Sequence, residues 1–245
     1  MNADMNTENN YDYNQYADQS AQYADVTSTL SNVMTKVYMY MFVGLFITGA
    51  ASLAVFLSDT LALFIFSNPF IFYGLMIFEV ILVIIFSALL KKASFGVLLT
   101  CFCTYSLVNG LVLSTVFFAY TSVSIAVTFG TTSLMFAAMS LVGYFTKMNL
   151  NKIGSFCIMG LIGIIIASLL NVFLGSEPLL YLISFAAVLI FLGLTAYDTQ
   201  VIKRTLMTAR SEMDMKRLYL WGALRLYLDF INMFLYLLRF MGRKK

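Results

Sequence analysis

A chain of 245 residues that is 61% hydrophobic and 11% charged, with mean hydropathy +0.87, is too apolar to fold around a soluble core. Its formal charge of +3 is too small and dispersed for a nucleic-acid partner, so the composition specifies a protein embedded in a lipid bilayer. With no histidine, and with three cysteines (Cys101, Cys103, Cys157) all in apolar runs, neither a zinc-type site nor any other cofactor is expected.

Residues 1–33 are rich in Asn, Tyr, Asp, Ser and Gln, carry acids without a basic residue, and lack a helical apolar stripe. They read as a disordered polar cytoplasmic tail ahead of a single transmembrane domain over 34–245. No basic residue precedes Lys36, so no cleaved leader is expected. About 20 apolar residues cross a bilayer, and by that rule the chain divides into seven helical segments, at 37–57, 70–90, 95–118, 122–144, 153–174, 179–202 and 226–242. Pro69 and Pro178 support the starts of the second and sixth, because proline suits the first turn of a helix. Leu61 to Asn68 is apolar but short and reads as an interfacial loop.

Loop charge sets the expected orientation. Connections one, three and five carry Asp59 and Glu177 and no basic residue, whereas connections two, four and six carry Lys91, Lys92, Lys147, Lys152, Lys203, Arg204, Arg210, Lys216 and Arg217. The even connections, and with them the N-terminus, are expected in the cytoplasm. Seven spans put Arg243, Lys244 and Lys245 outside, whereas a re-entrant last segment would return them; a full span is the expectation. Trp221 and Tyr219 read as interfacial anchors, and Gly154, Gly160, Gly163 and Ser168 as helix contacts of the fifth segment.

The chemistry concentrates in the last two segments, where Asp198 and Asp229 lie in apolar sequence. A carboxylate in hydrocarbon costs several kcal/mol on lenient scales, so such groups face an interior or a water-filled cavity and mark an ion or proton path. If Lys203 and Arg225 mark the interface, both aspartates lie roughly 6 to 8 Å inside it, at equal depth, and can meet. Two carboxylates in a water-poor site do not both ionise cheaply, so they share a proton and titrate as a unit. The plainer alternative has Asp198 tying a helix end and Asp229 neutralised by Arg225, one helical turn away. Glu79, near the middle of the second segment, is expected to be protonated, hydrogen-bonded or part of an ion path. Asn109, Asn171 and Asn232 are expected to join helices.

Three runs, Ala-Tyr-Asp-Thr-Gln-Val-Ile-Lys at 196–203, Gly-Ala-Leu-Arg-Leu-Tyr-Leu-Asp-Phe-Ile-Asn at 222–232 and Gly-Tyr-Phe-Thr-Lys-Met-Asn-Leu-Asn-Lys-Ile-Gly at 143–154, resemble the Bax inhibitor-1 family in its bacterial form. The resemblance implies an all-α membrane protein with six helices around a central seventh, placed in the inner membrane. It also implies a pH-sensing aspartate pair, which maps onto Asp198 and Asp229, and a pH-dependent leak of calcium, the ion those two residues would bind in passing. The bacterial pattern has a latch arginine at the cytoplasmic end of helix two; here that region reads Leu90-Lys91-Lys92, so Lys91 or Arg225 becomes the candidate latch cation.

The function expected is a calcium or cation leak, not an enzyme, in a monomer whose partners are the bilayer and Ca²⁺. One alternative is an interaction protein that restrains another membrane protein, such as a membrane-bound ATP-dependent protease. The other is an intramembrane aspartyl protease, disfavoured because Leu226 and Leu228 stand where its second motif needs glycine and no Pro-Ala-Leu run exists.

Overall fold

The computed structural model describes residues 31–90, 92–209 and 211–245. Most of the expected tail and Lys91 therefore lie outside the described residues. Ser31, Asn32 and Val33, assigned to that tail from sequence, are already helical. The helices in chain order are α1 (Ser31–Leu57), α2 (Asp59–Phe66), α3 (Pro69–Leu89), α4 (Phe95–Leu113), α5 (Thr115–Ala119), α6 (Ser122–Phe145), α7 (Asn151–Leu174), α8 (Glu177–Leu206) and α9 (Glu212–Met241).

Local sequence sets most of these boundaries. Asn68 caps α3 by accepting from the Phe70 N–H, with Pro69 as first helical residue, and Ser176 caps α8 ahead of Pro178. Gly175, at φ 60°, ends α7 in the left-handed conformation that glycine adopts without strain. Ser58 caps α2, so Leu61 to Asn68, expected as a loop, is mostly helix. The third segment is interrupted at Ser114, whose Oγ donates to the Leu111 carbonyl at 2.6 Å, a local bond that competes with the helical ladder.

Among the described residues six helices are long and apolar enough to cross a membrane: α1, α3, α4 continued through α5, α6, α7 and α8. The seventh expected span differs. It starts at Glu212 rather than at 226, and its 30 residues make it long enough for a bilayer but too polar for that set. In its middle the polarity is turned inward, as Tyr227 and Asp229 are buried along with most of its apolar residues, whereas Glu212 and Lys216 near its start are exposed. The helix packs on α8, α6 and α4, and touches α1 where Gly222 meets Val37. α7 and α3 pack chiefly on α8 and α4, so α9 is an inner helix with an incomplete first ring.

The odd connections and the chain end gather at one end of the bundle. Thr121 N–H donates to the Arg243 carbonyl at 3.1 Å, Lys245 N–H to Ala119 at 3.0 Å, and the Lys245 ammonium lies 5.0 Å from the Phe56 ring. The last residues thus meet the α5–α6 connection rather than returning beside α8's C-terminus. At the other end Lys203 Nζ donates to the Tyr144 carbonyl at 2.9 Å, and Leu90 shares a cavity wall with Thr205 and Thr208. Single cysteines replacing Asp59, Glu177 and Lys245 should therefore label from one side of the membrane and one replacing Lys92 from the opposite side. Labelling of positions 92 and 245 from the same side would contradict this arrangement.

Candidate functional site

The three sequence runs interlock around α8. Gln200 closes the α6–α7 connection on both flanks, donating to the Met148 carbonyl at 2.8 Å and accepting from the Leu150 N–H at 3.0 Å. Gly143 lets α6 lie directly on the backbone of Ala196, and Gly154 receives the ring of Tyr197. Ser140 joins Thr199 at 3.0 Å and Tyr38 of α1 at 2.9 Å. Gly222 of α9 seats against Ile202. These contacts fix the rotation of α8 and so the direction of Asp198, which is 5% exposed.

Arg225 of α9 grips that carboxylate with two parallel bonds, Nε to Oδ2 at 2.8 Å and Nη2 to Oδ1 at 2.5 Å. Its guanidinium also lies 5.2 Å from the Trp221 ring. Asp229, again 5% exposed, stands one helical turn further along α9, close enough to feel the charges of Asp198 and Arg225. Its Oδ2 makes no hydrogen bond among the described residues.

Two expectations are thereby corrected. The basic residue one turn from Asp229 pairs with Asp198 instead, and it does not open the last helix: α9 begins 13 residues earlier, about 20 Å along its axis. The two aspartates are neighbours, but Asp229 stands about 6 Å further from the start of α9 than the arginine that holds Asp198.

Glu79 belongs to a second polar constellation. Its Oε1 accepts from Asn109 Nδ2 at 3.3 Å, Asn109 Oδ1 accepts from the Tyr227 hydroxyl at 3.0 Å, and that hydroxyl meets Thr48 Oγ1 at 2.6 Å. The chain of bonds links α3, α4, α9 and α1. It approaches the first site through α9, since Tyr227 lies between Arg225 and Asp229 in sequence.

Residues 30–245 match the family described as inhibitor of apoptosis-promoting Bax1. The chain belongs to the Bax inhibitor-1 family. Among its relatives, inner membrane protein YbhL of Escherichia coli strain K12 is 43% identical over 218 residues, spanning 88% of this chain and 93% of the relative. A protein of Borreliella burgdorferi is also 43% identical, over 213 residues, 86% of this chain and 92% of its own. One of Rickettsia prowazekii is 38% identical over 218 residues, 88% and 91%. Together with the apolar helices, the likeness to YbhL supports an integral multi-pass protein of the inner membrane.

In this Bax inhibitor-1 chain the cation on the aspartate comes from α9 itself, in the form of Arg225. Tyr219, expected at the interface, is 6% exposed, with the Lys36 ammonium 5.3 Å from its ring. Of the expected helix-joining asparagines, Asn109 joins three helices, whereas Asn171 and Asn232 bond within or beside their own helices. Gly160 receives Ile190 of α8, but Gly163 has no neighbour within 4 Å. Tyr227 and Thr48 were missed by sequence reading, although a threonine within an apolar run is a signal of the same kind as Asn109. Tyr227→Phe keeps the ring and removes the hydroxyl that joins Asn109 to Thr48. It should cost about 1 to 3 kcal/mol, read as a lower unfolding midpoint in detergent.

Proposed function

We propose that the protein is a pH-sensitive cation leak, with calcium among the ions it passes, and that Asp198, Arg225 and Asp229 form its gate. The observation that carries this reading is the forked Arg225–Asp198 pair set beside a second buried carboxylate whose Oδ2 has no hydrogen-bond partner among the described residues. A purely structural ion pair gains nothing from such a neighbour, because burying an unmatched polar oxygen costs of order 1 to 3 kcal/mol or more.

The sign of the pH response follows from the pairing. Arg225 holds Asp198 and stands one turn from Asp229, and among the described residues Cys157 of α7 is also close enough to Asp229 to feel its charge. When Asp198 is ionised, the fork ties α8 to α9 and the path is closed. When Asp198 takes up a proton, Arg225 no longer has an anion on α8 to hold, since Asp229 belongs to its own helix. The open form thus binds more protons than the closed one, and the leak rises as pH falls. Calcium takes six to eight oxygens, and two carboxylates supply at most four, so an ion passing here keeps part of its water. In this reading the even connections face the cytoplasm and α9 is the seventh span. Both oxygens of Asp198 are engaged by Arg225, which does not suit a water-activating aspartic pair, so the reading includes no proteolysis.

Calcium flux into liposomes containing the purified protein, measured at two pH values, tests the reading. Faster flux at the lower pH is expected. A folded protein that passes no more calcium than empty liposomes would favour instead a module that restrains another membrane protein.

Glu79 is the proposed further element of the ion path. Glu79→Gln keeps the shape and the bond from Asn109 and removes the charge, so flux should fall several-fold while the protein stays folded. Unchanged flux at every pH would return Glu79 to a helix-joining role.

A further inference from the structure

We propose that the end of the bundle where α9 terminates binds one anionic phospholipid, whose phosphate is taken by Arg239 and Lys244 and whose acyl chain lies along the seam between α8 and α9. A cavity of about 420 Å³ opens there, lined by Arg239 and Lys244 together with Tyr120, Tyr181 and Glu177. The described ion pairs involve neither of the two cations. The Arg239 guanidinium is steadied 5.5 Å from the ring of Tyr236, which itself stacks on Phe191 of α8.

Lys244 is held in place by its neighbours. A chain end ordinarily frays, yet residues 243–245 are strapped to the α5–α6 region. Arg243 N–H donates to Ser124 Oγ at 2.9 Å, Lys245 N–H to the Ala119 carbonyl at 3.0 Å, and Lys245 Nζ to the Phe117 carbonyl at 2.8 Å. The strap sets Lys244 opposite Tyr120, at the wall of the cavity that Arg239 also lines.

Charge and shape together select the occupant. Arg239, Arg243, Lys244 and Lys245 fall within seven residues, at the bundle end whose connections otherwise carry only acids. That cluster calls for an anion, and an arginine fork matches a phosphate. The cavity lies beside the first turn of α8, which in a membrane-crossing helix is the level of the head groups. Next to it the exposed side chains of Tyr181 and Phe185 meet Phe240, with ring centroids 6.3 and 5.8 Å apart, and form an exposed aromatic patch across the two helices. Apolar exposure alone is ordinary in a bilayer. A cavity lined by two cations and bordered, through Tyr181, by an aromatic patch fits a molecule that is anionic at one end and hydrocarbon at the other. A zwitterionic lipid fits less well, because its own ammonium offsets the phosphate.

Native mass spectrometry of the detergent-solubilised full chain, with phosphatidylglycerol and phosphatidylcholine added in equal amounts, tests the site. One phosphatidylglycerol should be retained in preference by about tenfold. Arg239→Gln combined with Lys244→Gln should bring that preference close to unity, whereas Lys152→Gln with Arg204→Gln, at the opposite end, should leave it unchanged. If the first double variant does not fold, Lys244→Gln alone, at an exposed side chain, should still lower the preference about threefold. Equal retention of the two lipids by the unaltered protein would overturn the proposal. So would an undiminished preference in the Arg239 and Lys244 variants, or competition by inorganic phosphate alone that abolishes lipid retention, which would make this a free-anion site.

Discussion

Asp198→Asn should leave calcium flux through the reconstituted protein high at every pH, abolishing the acid-side rise. The amide keeps the size of the carboxylate but gives Arg225 no anion on α8 to grip. Asp198 is buried and Arg225 half-buried, so the loss lies at the lower end of the range for breaking a buried pair, about 3 kcal/mol. At 1.4 kcal/mol per factor of ten, that shifts the balance between closed and open forms roughly 100-fold. Asp229→Asn should act in the opposite direction. It removes the repelling neighbour and leaves the fork, so flux should stay low and begin to rise only at a more acid pH. Arg225→Lys keeps the charge without the two parallel bonds and should fall between the unaltered protein and Asp198→Asn. If both asparagine variants retained the unaltered pH profile while folded, the gate would not reside in this cluster.

Gly143→Ala should be the most damaging of the single-methyl additions in the motif region. A Cβ at this position points into the backbone of Ala196, two residues before Asp198, and backbone offers no rotamer into which to retreat. α6 and α8 would have to separate, straining the Ser140–Thr199 bond and the Lys203 bond to the Tyr144 carbonyl on either side. Overpacking of this kind costs about 1 to 3 kcal/mol, and the backbone contact places it at the upper end. At roughly 2 to 4 °C per kcal/mol for a chain of this size, the thermal midpoint in detergent should fall by about 6 to 12 °C. Gly163→Ala, where nothing lies within 4 Å, should leave the midpoint unchanged or slightly raised, because alanine is the better helix former. Equal midpoints for the two variants would remove the tight α6–α8 crossing from the account.

The sequence by itself determined the membrane class, six of the spans, and the two aspartates and Glu79 as the acids to be explained. Each of these is a local property. Hydropathy reads the solvent around a segment, Pro69 and Pro178 act on their own backbone, and the cost of a carboxylate in apolar sequence needs no partner to be recognised. The family likeness was legible for a related reason. Gly143 and Gly154, Gln200, and Gly222 fall in three runs, the glycines being the residue type that close helix contact requires and Gln200 one that can bond a connection on both flanks.

Only the tertiary structure decided which charges meet. Spacing along α9 places Arg225 one turn from Asp229, yet the rotation of α8, set by Gly143, Tyr197 and Gln200, brings Asp198 to the arginine instead. The same limitation hid the start of α9. Hydropathy does not tell a polar loop from an exposed polar helix, so Glu212 to Arg225 read as a loop while it is helix throughout, with Glu212 and Lys216 exposed and paired at 2.8 Å. The hydrogen-bonded line from Glu79 to Thr48 draws on four helices, and the strap at Lys244 pairs residues more than a hundred positions apart. Such partners are chosen by helix rotation and crossing, which no linear spacing encodes.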